Sequence, residues 1–278
     1  MMRPQKIQLA DDLTLHCYFW GEGQSGRPIL CVHGLTRNAR DFDWLAAALS
    51  SQRPVITVDA AGRGGSSWLA DKMAYRIETY ADHMKQLLDH LGYSSVDWVG
   101  TSMGGLIGML AAAEDPRIER LVLNDIGPYC DASALAPIAT YLGLDLSFAD
   151  LDDVEKHLRL IHAGFGPLTD AQWRHLATHS SVQSSDGRLR LHYDPDIKAP
   201  FLADAVSAID LWDVWAKIQS PVLCLRGAES VILTSQTAQR MTGAGGPECT
   251  LITFDGIGHA PSLMTEDQIS AIKNWLEV

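Results

Sequence analysis

The stretch Gly100-Thr101-Ser102-Met103-Gly104 sets a serine between two glycines at a spacing with chemical meaning. A β-branched run precedes it and an apolar helical stretch follows, so Ser102 falls on a strand-turn-helix elbow. Such a turn is strained, and the positions two before and two after must lack a Cβ for the backbones to pass. The helix start beside the hydroxyl favours negative charge. A nucleophile of this kind needs a base. His259, in the glycine-rich GIGHAP after the last strand-like run, suits that task because imidazole titrates near neutral pH. His33, in CVHGLTRN, sits in the turn after an early strand, where a structural role suits it better than that of a base. The same turn can aim the Leu35 N–H at the pocket, and with the Met103 N–H it would form a two-donor oxyanion hole.

These residues have to be positioned by a regular scaffold. PILCVHG, PVITVDA, VDWVG, RLVLND, PVLCLRG and CTLITFDG are short β-branched-rich runs, each stopped by Gly, Asp or Asn. Helical periodicity fills the gaps over Asp41–Leu49, Thr79–Leu91, Ser102–Ala113, Ser235–Met241 and Thr265–Leu276. In the last of these, Thr265 and Gln268 are spaced as a capping box. This alternation predicts an α/β fold with a parallel sheet covered by helices. The opening IQLADDLTLHCYFWG differs, since two alternating segments flank Asp11-Asp12 as in an antiparallel hairpin at a sheet edge. Between Pro128 and about Ser207 the rhythm breaks into successive helix-like stretches with Leu, Ile, Phe and Trp, including Phe165 and Trp173. That content predicts a folded helical lid rather than a disordered loop, with its aromatic residues setting the size of substrate admitted.

HGL, DAAGRGGSS, GTSMGG, RLVLND, LRGAES and GIGHAP together resemble the motifs of the α/β-hydrolase superfamily, in its order and over essentially the whole chain. The resemblance implies an eight-stranded, mostly parallel sheet flanked by helices, a lid inserted after the sixth strand, and no cofactor. It divides the chain into core residues 1–127, lid residues 128–207 and core residues 208–278. It also implies hydrolysis of a small-molecule ester through an acyl-serine, as in the lidded carboxylesterases. Cleavage of a carbon–carbon bond in a ring-fission product is the first alternative, and a degenerate ligand-binding protein the second. Relatives that carry Asp at the elbow, the dehalogenases and epoxide hydrolases, are set aside by Ser102.

One position departs from the pattern. Four residues past Gly227, where such proteins usually carry the aspartate that orients the histidine, stands Val231. Asp125 at the end of RLVLND is the favoured substitute, because some lidded members place their acid at that strand end. Glu229 is the second candidate, and an enzyme with no acid the third. Their bland readings are a turn hydrogen bond in NDIGP for Asp125 and solvation for Glu229.

Composition bounds the rest. The 278 residues carry a net charge of −12 and 20% charged side chains, with no basic run, which disfavours nucleic acid and anionic membrane surfaces. At 46% hydrophobic the chain can bury a large core, yet GGLIGMLAAA is about half the length a bilayer needs. No leader is visible at the N-terminus, and the five scattered cysteines (17, 31, 130, 224 and 249) fit reduced buried thiols in a cytoplasmic protein. A homo-oligomer is compatible with all of this. His175 and His179 lie one helical turn apart without an evident third metal ligand, so a solvated face is the plainer reading. AGRGGSS lacks a phosphate loop's GK[ST] ending and reads as a flexible turn. Arg159, Arg174, Arg188 and Arg190 could hold a substrate carboxylate, although most are expected to face water.

Overall fold

The computed structural model describes residues 2–10, 12–203 and 207–278. Eight strands form one sheet: Arg3–Gln8, Thr14–Trp20, Ile29–Val32, Val55–Asp59, Val96–Thr101, Ile118–Asn124, Val222–Gly227 and Cys249–Phe254. Numbered in that sequence, their spatial order is 1-2-4-3-5-6-7-8. The first two strands pair antiparallel, as the opening hairpin predicts, and the second pairs antiparallel with the fourth. Every other pairing is parallel. Asp11, at the turn of that hairpin, lies outside the described residues. The third and fourth strands are buried along their full length, which is why they read as unbroken apolar runs.

Helices cover both faces. On one side, α1 (Asp43–Leu49) and the last helix pack Leu45, Leu49, Ile269, Ile272 and Leu276 against Val99, Val122 and Leu223. On the other, α2 (Ile77–Leu91) and α3 (Met103–Glu114) bury Tyr80, Met84, Leu87 and Ile107 against Leu30, Trp98 and Leu121. Helix α2 ends at Gly92 in the left-handed conformation, which closes its last turn without a Cβ penalty. Observed helix limits fall within two residues of those read off periodicity, and Ser235–Met241 matches at both ends.

Between the sixth and seventh strands the chain makes a helical excursion. It leaves and returns through a short antiparallel pairing of Tyr129–Cys130 with Ile209–Asp210. Inside lie α4 (Ala132–Tyr141), α5 (Leu151–Ile161), α6 (Asp170–Ser180) and α7 (Ala199–Ala203), with residues 204–206 outside the description. The purely helical expectation is corrected at one point: Ser181–Gln183 and Leu189–Leu191 form an antiparallel hairpin. After the excursion come α8 (Trp212–Trp215), α9 (Ser235–Met241) and α10 (Glu266–Leu276). The excursion has its own small core of Phe148, Val154, Leu158, Trp173 and Leu176. No helix among the described residues is long and apolar enough to cross a membrane.

Two sequence expectations fail locally. The capping box at Thr265 does not form, because Gln268 is drawn inward to accept the Leu263 N–H at 2.7 Å. A true capping box occurs at Thr169 and Gln172 instead. AGRGGSS is not a loose turn either. Arg63 is fully buried, Gly64 N–H donates to the His192 carbonyl, and Asp194 N–H donates to the Gly62 carbonyl. The loop is a clasp between the sheet and the excursion.

The elbow depends on close backbone approach. A Cβ on Gly104 would lie 1.9 Å from the Val32 carbonyl oxygen, and one on Gly100 2.3 Å from that of Gly104. Neither partner is a side chain that could swing away. Gly104→Ala is therefore expected to cost about 3 kcal/mol in urea unfolding. A wild-type midpoint for that variant would contradict this packing.

Candidate active site

Ser102 joins the fifth strand to α3 with φ 51° and ψ −114°, outside the regions an ordinary side chain adopts without strain. Its N–H donates to the Asn124 carbonyl, and its own carbonyl accepts from Gly105 and Leu106 N–H. These bonds hold the turn and leave Oγ free to face the histidine. His259 Nε2 lies 2.9 Å from Ser102 Oγ. His259 Nδ1 lies 2.7 Å from Asp125 Oδ2.

Asp125 follows the sixth strand in the left-handed region, at φ 57°, and is fully buried. Its N–H donates to the Leu225 carbonyl, which anchors the turn to the seventh strand. Gly227 N–H donates to Oδ1 at 2.8 Å and Ser230 Oγ donates to Oδ2 at 2.5 Å. A buried carboxylate is costly unless hydrogen-bonded, and here three donors converge on it. Neither alternative reaches the histidine. Glu229 is exposed, and Val231 turns outward at 67% exposure. Ser230 was not foreseen. Its hydroxyl also accepts the Ile232 and Leu233 N–H groups at 3.2 Å, so it shapes the loop while pinning the carboxylate.

His33 is fully buried and plays no part in this relay. Its Nε2 accepts the Ala60 N–H at 3.0 Å, which leaves Nδ1 as the donor to the Gly34 carbonyl at 2.7 Å. Burial pushes its pKa down to about 4. Gly34 passes beside Ser102, where an added Cβ would lie 3.7 Å from the serine Cβ. The Leu35 and Met103 N–H groups find no hydrogen-bond partner among the described residues. Arg63 fixes the turn that carries the first of them. Its Nε donates to the Leu35 carbonyl at 2.8 Å, Nη1 bonds to the Ala61 carbonyl and Tyr80 hydroxyl, and Nη2 lies 3.6 Å from the Met103 sulfur. Nothing in its local sequence announces that role, since the contacts come from distant elements.

A family model described as the alpha/beta hydrolase fold matches residues 27–263. The chain belongs to the α/β-hydrolase family. A 3-hydroxybutyrate-oligomer hydrolase of Cupriavidus necator is 41% identical over 260 residues, covering 90% of this chain and 88% of its own. A 2-(acetamidomethylene)succinate hydrolase of Mesorhizobium japonicum is 30% identical, with 92% and 90% covered. Among solved structures, a putative hydrolase from Rickettsia typhi superposes with a TM-score of 0.92 at 32% identity, over 100% of this chain and 99% of that one. An alpha/beta hydrolase from Novosphingobium aromaticivorans gives 0.90 at 36%, over 99% and 98%. The protein is a hydrolase of the α/β type.

Within this α/β-hydrolase, Ser102 and Met103 border a cavity of about 380 Å³. Its wall is mostly apolar, with Leu106, Ile126 and Ile232 from the core and Leu135, Ile138 and Phe201 from the excursion. Phe165 and Trp173 are not part of it. They stack on each other at 6.4 Å, and Trp173 is buried inside the excursion's own core, which corrects the expectation that they gauge substrate size. The four arginines singled out by sequence are bound elsewhere. Arg159 pairs with Glu155 and Asp170, Arg174 with Asp152 and Glu155, and Arg190 with Asp145 and Asp186, while Arg188 bonds to Ser147. Arg76 lines the cavity beside Ser102, and Arg37 lines a smaller one.

A third partner does join His175 and His179. Asp43 brings a carboxylate oxygen within 4.8 Å of both imidazoles, an arrangement able to hold a metal ion. A cation already sits there: Arg40 bonds to both Asp43 oxygens and lies 3.3 Å from His179 Nδ1. Burial, Arg40 and His175 together push the His179 pKa down to about 4. The five cysteines are free thiols, and burial raises Cys130 to about 11 and Cys249 to about 12.

Two measurements follow from this geometry. If Asp125 orients His259, Asp125→Asn should keep the fold yet lower kcat on a hydrolysed substrate by about four powers of ten, because an amide favours the wrong imidazole tautomer. Glu229→Gln should change kcat by less than about twofold, as an exposed group with no part in the relay. The reverse pattern would move the acid to the seventh-strand loop. The second concerns His33. A folded pKa of about 4, against an unfolded value of 6.5, means that the unfolded chain binds the extra proton between those limits. Stability is then present above pH 6.5 and falls as pH drops towards 4, by roughly 2 kcal/mol from this group between pH 7 and 5. His33→Gln should flatten that part of the urea-unfolding profile, and an unchanged slope would contradict it.

Proposed function

We propose that this protein is a serine ester hydrolase that works through an acyl-serine intermediate, with Ser102, His259 and Asp125 as its catalytic residues. The observation that carries the reading is the unbroken relay from Asp125 Oδ2 through His259 to Ser102 Oγ, at 2.7 and 2.9 Å. Ser102 Oγ attacks the ester carbonyl carbon while His259 Nε2 takes its proton. Asp125 keeps the Nδ1 proton in place and stabilises the imidazolium without itself being protonated. The carbonyl oxygen becomes an oxyanion that accepts the Leu35 and Met103 N–H groups, each worth about 3 kcal/mol at the transition state. Collapse expels the alcohol oxygen, which takes the proton from Nε2. Water then repeats the sequence on the acyl-serine, giving the carboxylic acid and free Ser102.

The helical excursion from Tyr129 to Asp210 serves as the lid. Its Leu135, Ile138 and Phe201 close the apolar part of the wall over the nucleophile, where an uncharged chain of the substrate fits. The relative acting on 3-hydroxybutyrate oligomers supports a short ester of a hydroxy acid as the substrate. The ligand-binding alternative drew its support from Val231, and Asp125 beside His259 removes that support. For the carbon–carbon alternative no residue around the relay speaks in particular.

A panel of short-chain esters, the linear dimer of 3-hydroxybutyrate and a vinylogous diketone separates these reactions. The expected result is turnover of the esters, with a loss of more than about 10³-fold in Ser102→Ala at unchanged melting temperature. Turnover of the diketone alone would replace the ester reading. Equal rates for wild type and Ser102→Ala would end the nucleophile assignment.

A further inference from the structure

A second cavity, of about 130 Å³, lies under the excursion and shares no lining residue with the large one. The turn that carries the proposed oxyanion donor divides them: Leu35 lines the large cavity, Thr36 and Arg37 the small one. The small cavity also lies close to the proposed base. Helix α5 ends at His162, and the turn that follows packs on the histidine loop, with Gly258 N–H donating to the Gly164 carbonyl at 2.8 Å.

Its wall carries polar atoms without a partner. His162 lines the cavity with one face of its ring stacked on Phe165 at 4.4 Å, and its Nε2 is buried without a protein partner among the described residues. Ser180, 4% exposed, lines the same cavity, and its Oγ is likewise unpartnered. Arg37, 5% exposed, gives Nε and Nη2 to Asp41 at 2.8 and 2.7 Å, which leaves its Nη1 donors outside that pair. A buried polar group left unpaired costs about 1–3 kcal/mol, so two in one small space indicate a polar occupant. The cation in this wall is Arg37; burial, then its charge, holds the His162 imidazole well below its ordinary pKa, so the ring meets an occupant uncharged.

We propose that this cavity is the subsite for a substrate carboxylate, with Arg37, His162 and Ser180 as its donors. The inference rests on the ester-hydrolase reading and narrows it to esters that carry an acid group. A space of about 130 Å³ admits a carboxylate with one or two carbons, and the proposal requires the substrate to pass the Leu35–Arg37 turn between the two cavities to reach Ser102. The uncharged remainder occupies the cavity of about 380 Å³. Short esters of 3-hydroxy acids with a free carboxylate have this build.

The test compares such an ester, bearing its free carboxylate, with the same molecule capped as a methyl ester. The expected ratio of kcat/KM in the wild type favours the free acid by about tenfold or more. Ser180→Ala and His162→Phe, the latter keeping the ring stack, should each bring that ratio towards one, chiefly through KM. Equal use of both esters by the wild type, or a ratio that neither variant moves, would mean that the cavity holds water only; the subsite would fall while the hydrolase reading stood. If neither ester is turned over, binding decides separately. Ser102→Ala protein should bind 3-hydroxybutyrate in calorimetric titration and lose that binding when Ser180→Ala is added. Binding that survives the second substitution would overturn the subsite.

Discussion

The fully buried Asp125 carboxylate is the constraint on which the site depends. It accepts from Gly227 N–H, from Ser230 Oγ and from His259 Nδ1, and so ties together the ends of the sixth, seventh and eighth strands. A negative charge removed from water is tolerable only when its lone pairs are used, which makes the position of each partner part of folding as well as of chemistry. The left-handed backbone at Asp125 aims the side chain across the sheet edge towards the seventh-strand loop. That loop carries no acid directed at the histidine. It supplies Ser230 and a backbone N–H as donors, and Val231 is left in solvent.

A second buried ion organises the opposite side. The Arg63 guanidinium, with no exposure, bonds to the Leu35 and Ala61 carbonyls and lies over the Tyr75 and Tyr80 rings. Tyr75 in turn donates to Asp194 of the excursion at 2.6 Å. The turn that presents Leu35 N–H is thus held from the core, and the same clasp secures the excursion above it. Rigid support of this kind suits the proposed oxyanion donor, because donors stabilise developing charge only when they need not reorganise.

Much of this was legible because it depends on local chemistry at fixed spacing. The GTSMG elbow requires glycines at positions that Gly100 and Gly104 occupy, and the strand-turn-helix order around it sets the parallel sheet. His259 stood out because it follows the last strand on a glycine-rich loop. What local sequence does not carry is where long side chains end. Arg63 reads as part of a flexible turn, and Gln268 as a cap, until distant groups claim them. Phe165 and Trp173 read as pocket walls because apolar character is legible while its direction is not. Asp43 is far from His175 in sequence, and only the packing of α6 on α1 and the turn before it brings them together. The neck of the excursion, Tyr129–Cys130 against Ile209–Asp210, is too short for periodicity to reveal.

The central claim is that the relay makes Ser102 a nucleophile. Treatment of the folded protein with a fluorophosphonate, followed by intact mass measurement and peptide mapping, tests it most directly. The account predicts a single adduct, on the peptide that contains Ser102, formed rapidly by the wild type and not by His259→Gln. An absent adduct, or one that forms on another residue or at the same rate without His259, would contradict it.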